Sequence, residues 1–130
     1  MNNKFKKYLG IDWGEVRIGL AIGDSENKIA TPFGVVGDIK EISAVIKNEE
    51  IDEIIVGEPL AMANSKLNNK EKYLDFIKEL KEKFFIPVFA IDERLTSQAA
   101  DALLGDKKSK APRDAIAAML ILQSFFDRKA

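Results

Sequence analysis

Residues 8–24 read YLGIDWGEVRIGLAIGD, and this stretch contains the pattern that decides the fold. It holds two short apolar runs, 8–11 and 18–22, which are separated by a segment containing Gly14. Short runs of β-branched, aromatic and other apolar side chains that end at turn-forming residues predict β-strands. A third such run lies at 33–36. The first third of the chain therefore predicts three strands, which are antiparallel because tight turns join them.

The remainder of the chain alternates between two spacings of apolar residues. Helical spacing predicts four helices, at 38–48, 64–85, 96–105 and 114–128. Compact apolar runs predict two further strands, at 53–56 and 88–91. Because a strand, a helix and a second strand in succession usually form a right-handed crossover between parallel strands, we expect a mixed sheet with helices on its faces. A ribonuclease H-like architecture is compatible with this order, and so are other α/β folds.

The composition limits both the kind of protein and its chemistry. The chain has 130 residues, of which 46% are hydrophobic and 32% charged, and this predicts a single folded domain over 1–130. With 20 Lys and Arg against 21 Asp and Glu, the formal net charge is -1, so nucleic acid would have to bind at local patches. The chain has no cysteine and no histidine. Thiolate zinc sites, disulfides and Ser-His or Cys-His catalysis are therefore excluded.

Targeting signals are absent from the sequence pattern. No apolar run approaches the length of about 18 residues that a membrane span needs, and the first residues lack the apolar core of a signal peptide. We therefore expect a cytoplasmic protein without a membrane partner.

Three acidic side chains lie where predicted strands end or a predicted helix begins. Asp12 follows the first strand, Glu93 follows the strand at 88–91, and Asp114 opens the last helix. Ligands of α/β proteins bind at the carboxyl ends of the strands. Offsets of three, four and seven residues put Asp114 on the apolar stripe of its helix, which faces the sheet. Strand alternation allows only one of Asp92 and Glu93 to face the same site as Asp12, and we favour Glu93.

Each of these acids also has a purely structural interpretation. Asp12 would then cap a turn, Glu93 would be a solvated charge or a partner of Arg94, and Asp114 would interact with the helix dipole. Together, however, three carboxylates suit one or two Mg²⁺ or Mn²⁺ ions, which prefer oxygen ligands. Two such ions, about 3.5–4 Å apart, can activate a water and stabilise the leaving oxygen of a phosphodiester. A nuclease without histidine or cysteine is therefore chemically possible.

Basic side chains and glycines near the acids are candidate substrate contacts. Four basic residues lie in the predicted loop before the last helix: Lys107, Lys108, Lys110 and Arg113. They could hold a nucleic-acid backbone, or they could simply be solvated. Arg17 lies between Gly14 and Gly19 at the first turn. These glycines would either let the backbone approach a phosphate closely or serve turn geometry alone.

Four blocks of sequence resemble the YqgF family, and the resemblance spans nearly the whole chain. The blocks are GIDWG with RIGLA at 10–21, VGEPL at 56–60, DERLTS at 92–97, and DAIAA through ILQS at 114–124. This family comprises bacterial Holliday-junction-resolvase-like proteins, which are also described as nucleases of the small-subunit ribosomal RNA precursor. The order and spacing of the blocks make the resemblance specific. The first block alone also resembles the phosphate loops of actin-like ATPases and sugar kinases.

The resemblance implies a ribonuclease H-like fold with a mixed five-stranded sheet and a metal-dependent phosphodiesterase activity. By the match to the family's motifs, Asp12, Glu93 and Asp114 are the expected catalytic residues and the ligands of Mg²⁺ or Mn²⁺, with two ions expected. Arg94 and Thr96 would bind the nucleic-acid backbone or orient the acids. Arg17 and the four basic residues before the last helix are the other expected substrate contacts. The implied substrate is structured RNA, namely the 5′ end of pre-16S ribosomal RNA during ribosome biogenesis.

Two other functions remain alternatives. A Holliday-junction resolvase would act on branched DNA, and its symmetric substrate favours a homodimer, whereas an RNA-processing enzyme can be a monomer. A non-catalytic RNA-binding factor for ribosome assembly would keep the fold without turnover. Metal dependence separates the nucleases from the binding factor, because only a nuclease loses its function with EDTA or Asp12→Asn.

Overall fold

The structure is a computed structural model that describes residues 5–58, 67–92 and 112–128. Its elements, in chain order, are β1 (Lys7–Asp12), β2 (Ile18–Asp24), β3 (Thr31–Val36), α1 (Ile39–Asn48), β4 (Glu53–Glu58), α2 (Leu67–Lys83), β5 (Val88–Asp92) and α3 (Arg113–Arg128). The predicted strands and the predicted helices at 38–48, 64–85 and 114–128 are confirmed with small shifts of their ends. The predicted helix at 96–105 lies outside the described residues. None of the helices in the described ranges combines the length and the apolar character needed to cross a bilayer.

The strands form one mixed sheet in the order β3-β2-β1-β4-β5. β2 runs antiparallel to both β1 and β3, whereas β1, β4 and β5 are parallel. The carboxyl ends of the three parallel strands therefore meet at one edge of the sheet. At this edge Asp12 is paired with Gly19 of β2 and with Gly57 of β4.

Successive residues of β1 contribute to two separate apolar cores, because side chains alternate between the faces of a sheet. Leu9 and Ile11 are fully buried in the core that α1 and α2 cover. Tyr8 lies in the core that α3 covers, where its ring centroid is 5.3 Å from that of Phe125 and 5.5 Å from that of Phe126. The even-numbered positions of β1 therefore face α3.

Glycines on β1 and β2 allow α3 to lie directly on the strands. A Cβ atom at Gly10 would be 2.8 Å from the Cβ of Leu122, and one at Gly19 would overlap the carbonyl oxygen of Asp114. Ala115 and Ala118 are fully buried on the helix side of this contact. The first turns of α3 therefore pack backbone against backbone, which holds the start of the helix close to the carboxyl edge of the sheet.

Gln123 ties α3 to the connection between β2 and β3. Its Oε1 accepts a hydrogen bond from the backbone N–H of Ala30 at 2.9 Å, and its Nε2 donates to the carbonyl oxygen of Lys28 at 3.0 Å. Lys28 has a φ of 55°, in the left-handed region. These bonds fix α3 to the sheet at a second point, about two and a half turns beyond Asp114.

The carboxyl end of α1 closes in a Schellman motif. The N–H of Ile51 donates to the carbonyl oxygen of Ile46 at 3.0 Å, and the N–H of Glu50 donates to that of Lys47 at 3.4 Å. Glu50 has a φ of 54° at the position where glycine is usually found. Ile46 and Ile51 both pack in the core under α1 and α2, so the motif directs the chain into β4.

Candidate metal and nucleic-acid site

Asp12 is the last residue of β1 and is half-buried on the α3 face. Two observations place it on that face. Gly10, two residues earlier in the strand, faces Ala118 and Leu122 of α3. Gly19, the cross-strand partner of Asp12, also faces α3. Since alternate residues of a strand and paired residues of neighbouring strands share a face, Asp12 points to the start of α3.

Asp114 lies directly beside this position. Its main chain covers Gly19, and Gly19 is the partner of Asp12 in the β1–β2 register. Paired Cα atoms of antiparallel strands are about 4.5–5.5 Å apart, so the backbone of Asp114 lies over the strand position next to that of Asp12. The structure thus brings together Asp12 and Asp114, which are far apart in the sequence.

The local sequence explains why a carboxylate is held at this point of α3. Pro112 precedes the helix, and its carbonyl oxygen accepts a hydrogen bond from the N–H of Ile116 at 3.0 Å. Proline suits the start of a helix because its fixed φ matches and its missing N–H would be unpaired there. Arg113, expected in the preceding loop, is instead the first residue of the helix and is exposed next to Asp114.

Arg17 forms an ion pair with Asp114. The Nε of Arg17 lies 3.2 Å from Oδ2 of Asp114, and the two side chains are 73% and 28% exposed. Such an exposed pair contributes only about 0–1 kcal/mol to stability. The predicted substrate contact Arg17 therefore lies at the acidic site, where it neutralises part of the negative charge.

The turn between β1 and β2 is anchored on its other side to α2. The Trp13 ring packs edge-on against Tyr73, with centroids 5.7 Å apart, and Lys72 forms an ion pair with Glu15. A Cβ at Gly14 would be 2.5 Å from the carbonyl oxygen of Arg17. The turn that carries Arg17 is therefore fixed by contacts with both layers of helices.

Gly14 and Gly19 allow close contacts between segments of this chain. The main chain of Asp114 covers Gly19, and the carbonyl oxygen of Arg17 lies close to Gly14. Of the two interpretations drawn from the sequence, close approach of a phosphate and local geometry, the contacts support geometry. The Arg17 side chain, between these two glycines, is 73% exposed.

The other predicted site residues lie outside the described ranges. They are Glu93, Arg94, Thr96, Lys107, Lys108 and Lys110. In the part of the chain that the structure describes, no group of three or more His, Cys, Asp or Glu side chains could hold a metal ion. The described portion of the predicted acidic set is therefore the pair Asp12 and Asp114.

A groove that the sequence did not predict lies on the face of the sheet opposite to α3. It has a volume of about 480 Å³ and lies between the β1–β2 turn, the start of α1 and the exposed side of α2. Its charged lining residues are Glu15, Asp38, Lys40, Lys72, Asp75, Glu79 and Lys83. These come from three separate segments, so no local pattern indicates the groove.

The chain is similar to known proteins over nearly its whole length. Residues 6–128 match the family described as "RuvX: Holliday junction resolvase". The chain belongs to the RuvX family. A relative from Natranaerobius thermophilus named "Putative pre-16S rRNA nuclease" is 34% identical over 134 residues, which cover 95% of each chain. The YqgF resemblance is thereby confirmed, and the prediction of a nuclease is confirmed at the level of the family.

Solved structures confirm the ribonuclease H-like fold. Thermus thermophilus RuvC in complex with a Holliday junction substrate aligns with a TM-score of 0.62 at 20% identity, covering 95% of each chain. A fowlpox virus resolvase in complex with Holliday junction DNA also has a TM-score of 0.62, at 11% identity, with 95% of this chain and 98% of the other covered. At these identities the likeness concerns the fold.

Proposed function

We propose that this RuvX-family protein is a metal-dependent endonuclease-type phosphodiesterase that processes the 5′ end of pre-16S ribosomal RNA, acting as one domain over 1–130. The observation that carries the proposal is the position of Asp114 over Gly19, the strand partner of Asp12. This contact sets the backbone of Asp114 beside the strand position of Asp12 at the carboxyl edge of the sheet. Ligands of α/β proteins bind at that edge.

The side chains present fit a hard divalent cation. Asp12 and Asp114 offer only carboxylate oxygens, the ligand type that Mg²⁺ and Mn²⁺ prefer. The family resemblance adds Glu93 as a third ligand. When bound, one or two such ions activate a water for attack on phosphorus and stabilise the leaving oxygen.

The chain's own residues would hold the acids and the substrate backbone. The packing of α3 on Gly10 and Gly19 fixes the distance between Asp12 and Asp114. Arg17 and Arg113 are exposed beside them and would bind the phosphates that flank the cleaved bond. Arg94, Thr96, Lys107, Lys108 and Lys110 complete the proposed contacts. Because the net charge is only -1, these basic residues would have to supply the attraction for the substrate backbone.

The names of the relatives favour ribosomal RNA as the substrate. Full-length relatives are named for pre-16S rRNA, whereas the solved complexes contain Holliday junction DNA. The relatives are the more similar group, with 34% identity against 20% and 11%. We therefore propose a cytoplasmic protein that acts on a ribosomal precursor, as a monomer or a homodimer. Cleavage of branched DNA by a homodimer is the second candidate, and it is favoured by the solved complexes.

Cleavage of two substrates in parallel tests the proposal. A pre-16S rRNA fragment containing the 5′ processing site and a synthetic four-way DNA junction would be incubated with the protein and Mn²⁺ or Mg²⁺, and the RNA ends mapped by primer extension. We expect metal-dependent RNA cleavage that falls at least about a hundredfold in Asp12→Asn and in Asp114→Asn. Asp75→Asn, which removes an equal charge from α2, should cleave like the wild type.

Two outcomes would contradict parts of this proposal. Cleavage of the junction alone would replace RNA by branched DNA as the substrate. Failure of the folded wild type to cleave either substrate would contradict the enzyme and favour the non-catalytic RNA-binding factor. Circular dichroism of each variant would establish that it is folded.

A further inference from the structure

We infer that Arg17 serves as a replaceable counter-ion, which neutralises Asp114 in the metal-free protein and gives this carboxylate up to a divalent cation. This role rests on the metal site proposed above, and it goes beyond a simple substrate contact. It predicts that Arg17 opposes metal binding.

The geometry places Arg17 on an oxygen that a metal ion would need. Its Nε is 3.2 Å from Oδ2 of Asp114, and the Asp114 side chain is 28% exposed. Asp12 lies next to Asp114 on the same face through their shared neighbour Gly19. The Arg17 guanidinium and a divalent cation would therefore compete for the same carboxylate oxygen of Asp114.

The ion pair between Arg17 and Asp114 is weak enough for a divalent cation to replace Arg17. The Arg17 side chain is 73% exposed, so water competes for both partners and the pair contributes little to stability. The turn itself is held by the packing of Trp13 on Tyr73 and by the Glu15–Lys72 ion pair. Release of Asp114 thus requires only a change of the Arg17 rotamer. The main chain of the turn stays in place.

The released guanidinium remains at the site. Its terminal amino groups suit two-point binding of a phosphate, which a lysine ammonium cannot reproduce. Arg17 would therefore pass from a carboxylate of the protein to a phosphate of the substrate as the cation binds. The same side chain neutralises charge in both states.

Calorimetric titration of the full chain with Mn²⁺, in the absence of nucleic acid, tests this role. We expect Arg17→Gln to bind Mn²⁺ about three- to fivefold more tightly than the wild type, because the competing cation is gone. Arg17→Lys keeps the charge and should stay within about twofold of the wild type. Lys72→Gln is the matched control, since it removes a lysine paired with the same turn, and its Mn²⁺ affinity should be unchanged.

The possible results separate this role from the proposed function. If the wild type binds Mn²⁺ and Arg17→Gln binds it equally or more weakly, the counter-ion role is overturned and the metal site stands. If Arg17→Lys gains as much affinity as Arg17→Gln, charge competition is not the cause and the role is again overturned. A folded wild type that binds no Mn²⁺ would overturn the metal site together with this role.

Discussion

The two faces of the sheet are packed in different ways. Under α1 and α2, large aliphatic side chains such as Leu9, Ile11 and Ile54 fill the space between the layers. Under the first turns of α3, Gly10 and Gly19 leave no side chain, so the helix lies against the strands themselves. The first arrangement provides apolar burial. The second provides a fixed short distance between helix and sheet, and the paired aspartates lie where that distance is shortest.

This difference shows how a small protein can separate stability from site geometry. Burial of aliphatic side chains contributes roughly 25 cal/mol per Å² and depends weakly on the exact position of each group. The position of a carboxylate relative to its neighbour depends on backbone contacts, which tolerate very little change in volume. Substitutions on the two faces should therefore have different consequences.

The largest effect is expected for Gly19→Ala. The added methyl group would overlap the carbonyl oxygen of Asp114, so α3 has to move away from β2. We expect a loss of about 4 kcal/mol or more in the free energy of unfolding, above the usual range for overpacking, because the added methyl group overlaps backbone atoms. In any folded fraction, Mn²⁺ binding should also be lost.

The control for this variant is Gly34→Ala on the neighbouring strand β3, where an added Cβ meets no atom of the described residues within 4 Å. Its stability should stay within about 0.5 kcal/mol of the wild type in urea denaturation. A Gly19→Ala variant as stable as Gly34→Ala would show that α3 does not rest on the β2 backbone.

On the opposite face, Leu9→Ala should cost stability and spare the site. Leu9 is fully buried under α1 and α2, so its truncation leaves a cavity and should lower the free energy of unfolding by about 3 kcal/mol. Urea denaturation measures this loss. Below the unfolding transition, Mn²⁺ affinity should equal that of the wild type. A parallel loss of metal affinity would mean that the two faces are not independent.

The smallest effect is expected for Glu50→Gly, and it is stabilising. Glu50 adopts a φ of 54° at the end of α1, a conformation that glycine reaches without strain. The greater freedom of glycine in the unfolded chain offsets part of this gain. We expect a net gain of about 0.5–1 kcal/mol and a raised Tm by calorimetry, with unchanged cleavage. Glu49→Gly, at the preceding right-handed position, should instead destabilise the protein.

The sequence predicted most strands and helices of the two faces, but it predicted their ends less well. The apolar runs of β1 and β2 have the spacing of strands, and the stripe that contains Ile121 and Leu122 has the spacing of a helix, so these elements were predictable. The ends were less predictable. Arg113 was expected in a loop, but Pro112 allows the helix to begin directly after it. The strand at 33–36 begins earlier, at Thr31, because pairing with β2 extends it.

The sequence by itself determined the order of strands and helices, the exclusion of thiol and imidazole chemistry, and the acidic positions Asp12 and Asp114 at element ends. These properties depend on residue type and on spacing within a few residues. Only the tertiary structure decided that the main chain of Asp114 packs against Gly19 and that Arg17 pairs with the Asp114 carboxylate. Such contacts join segments nearly a hundred residues apart. They depend on how closely two surfaces pack, and no local periodicity encodes that distance.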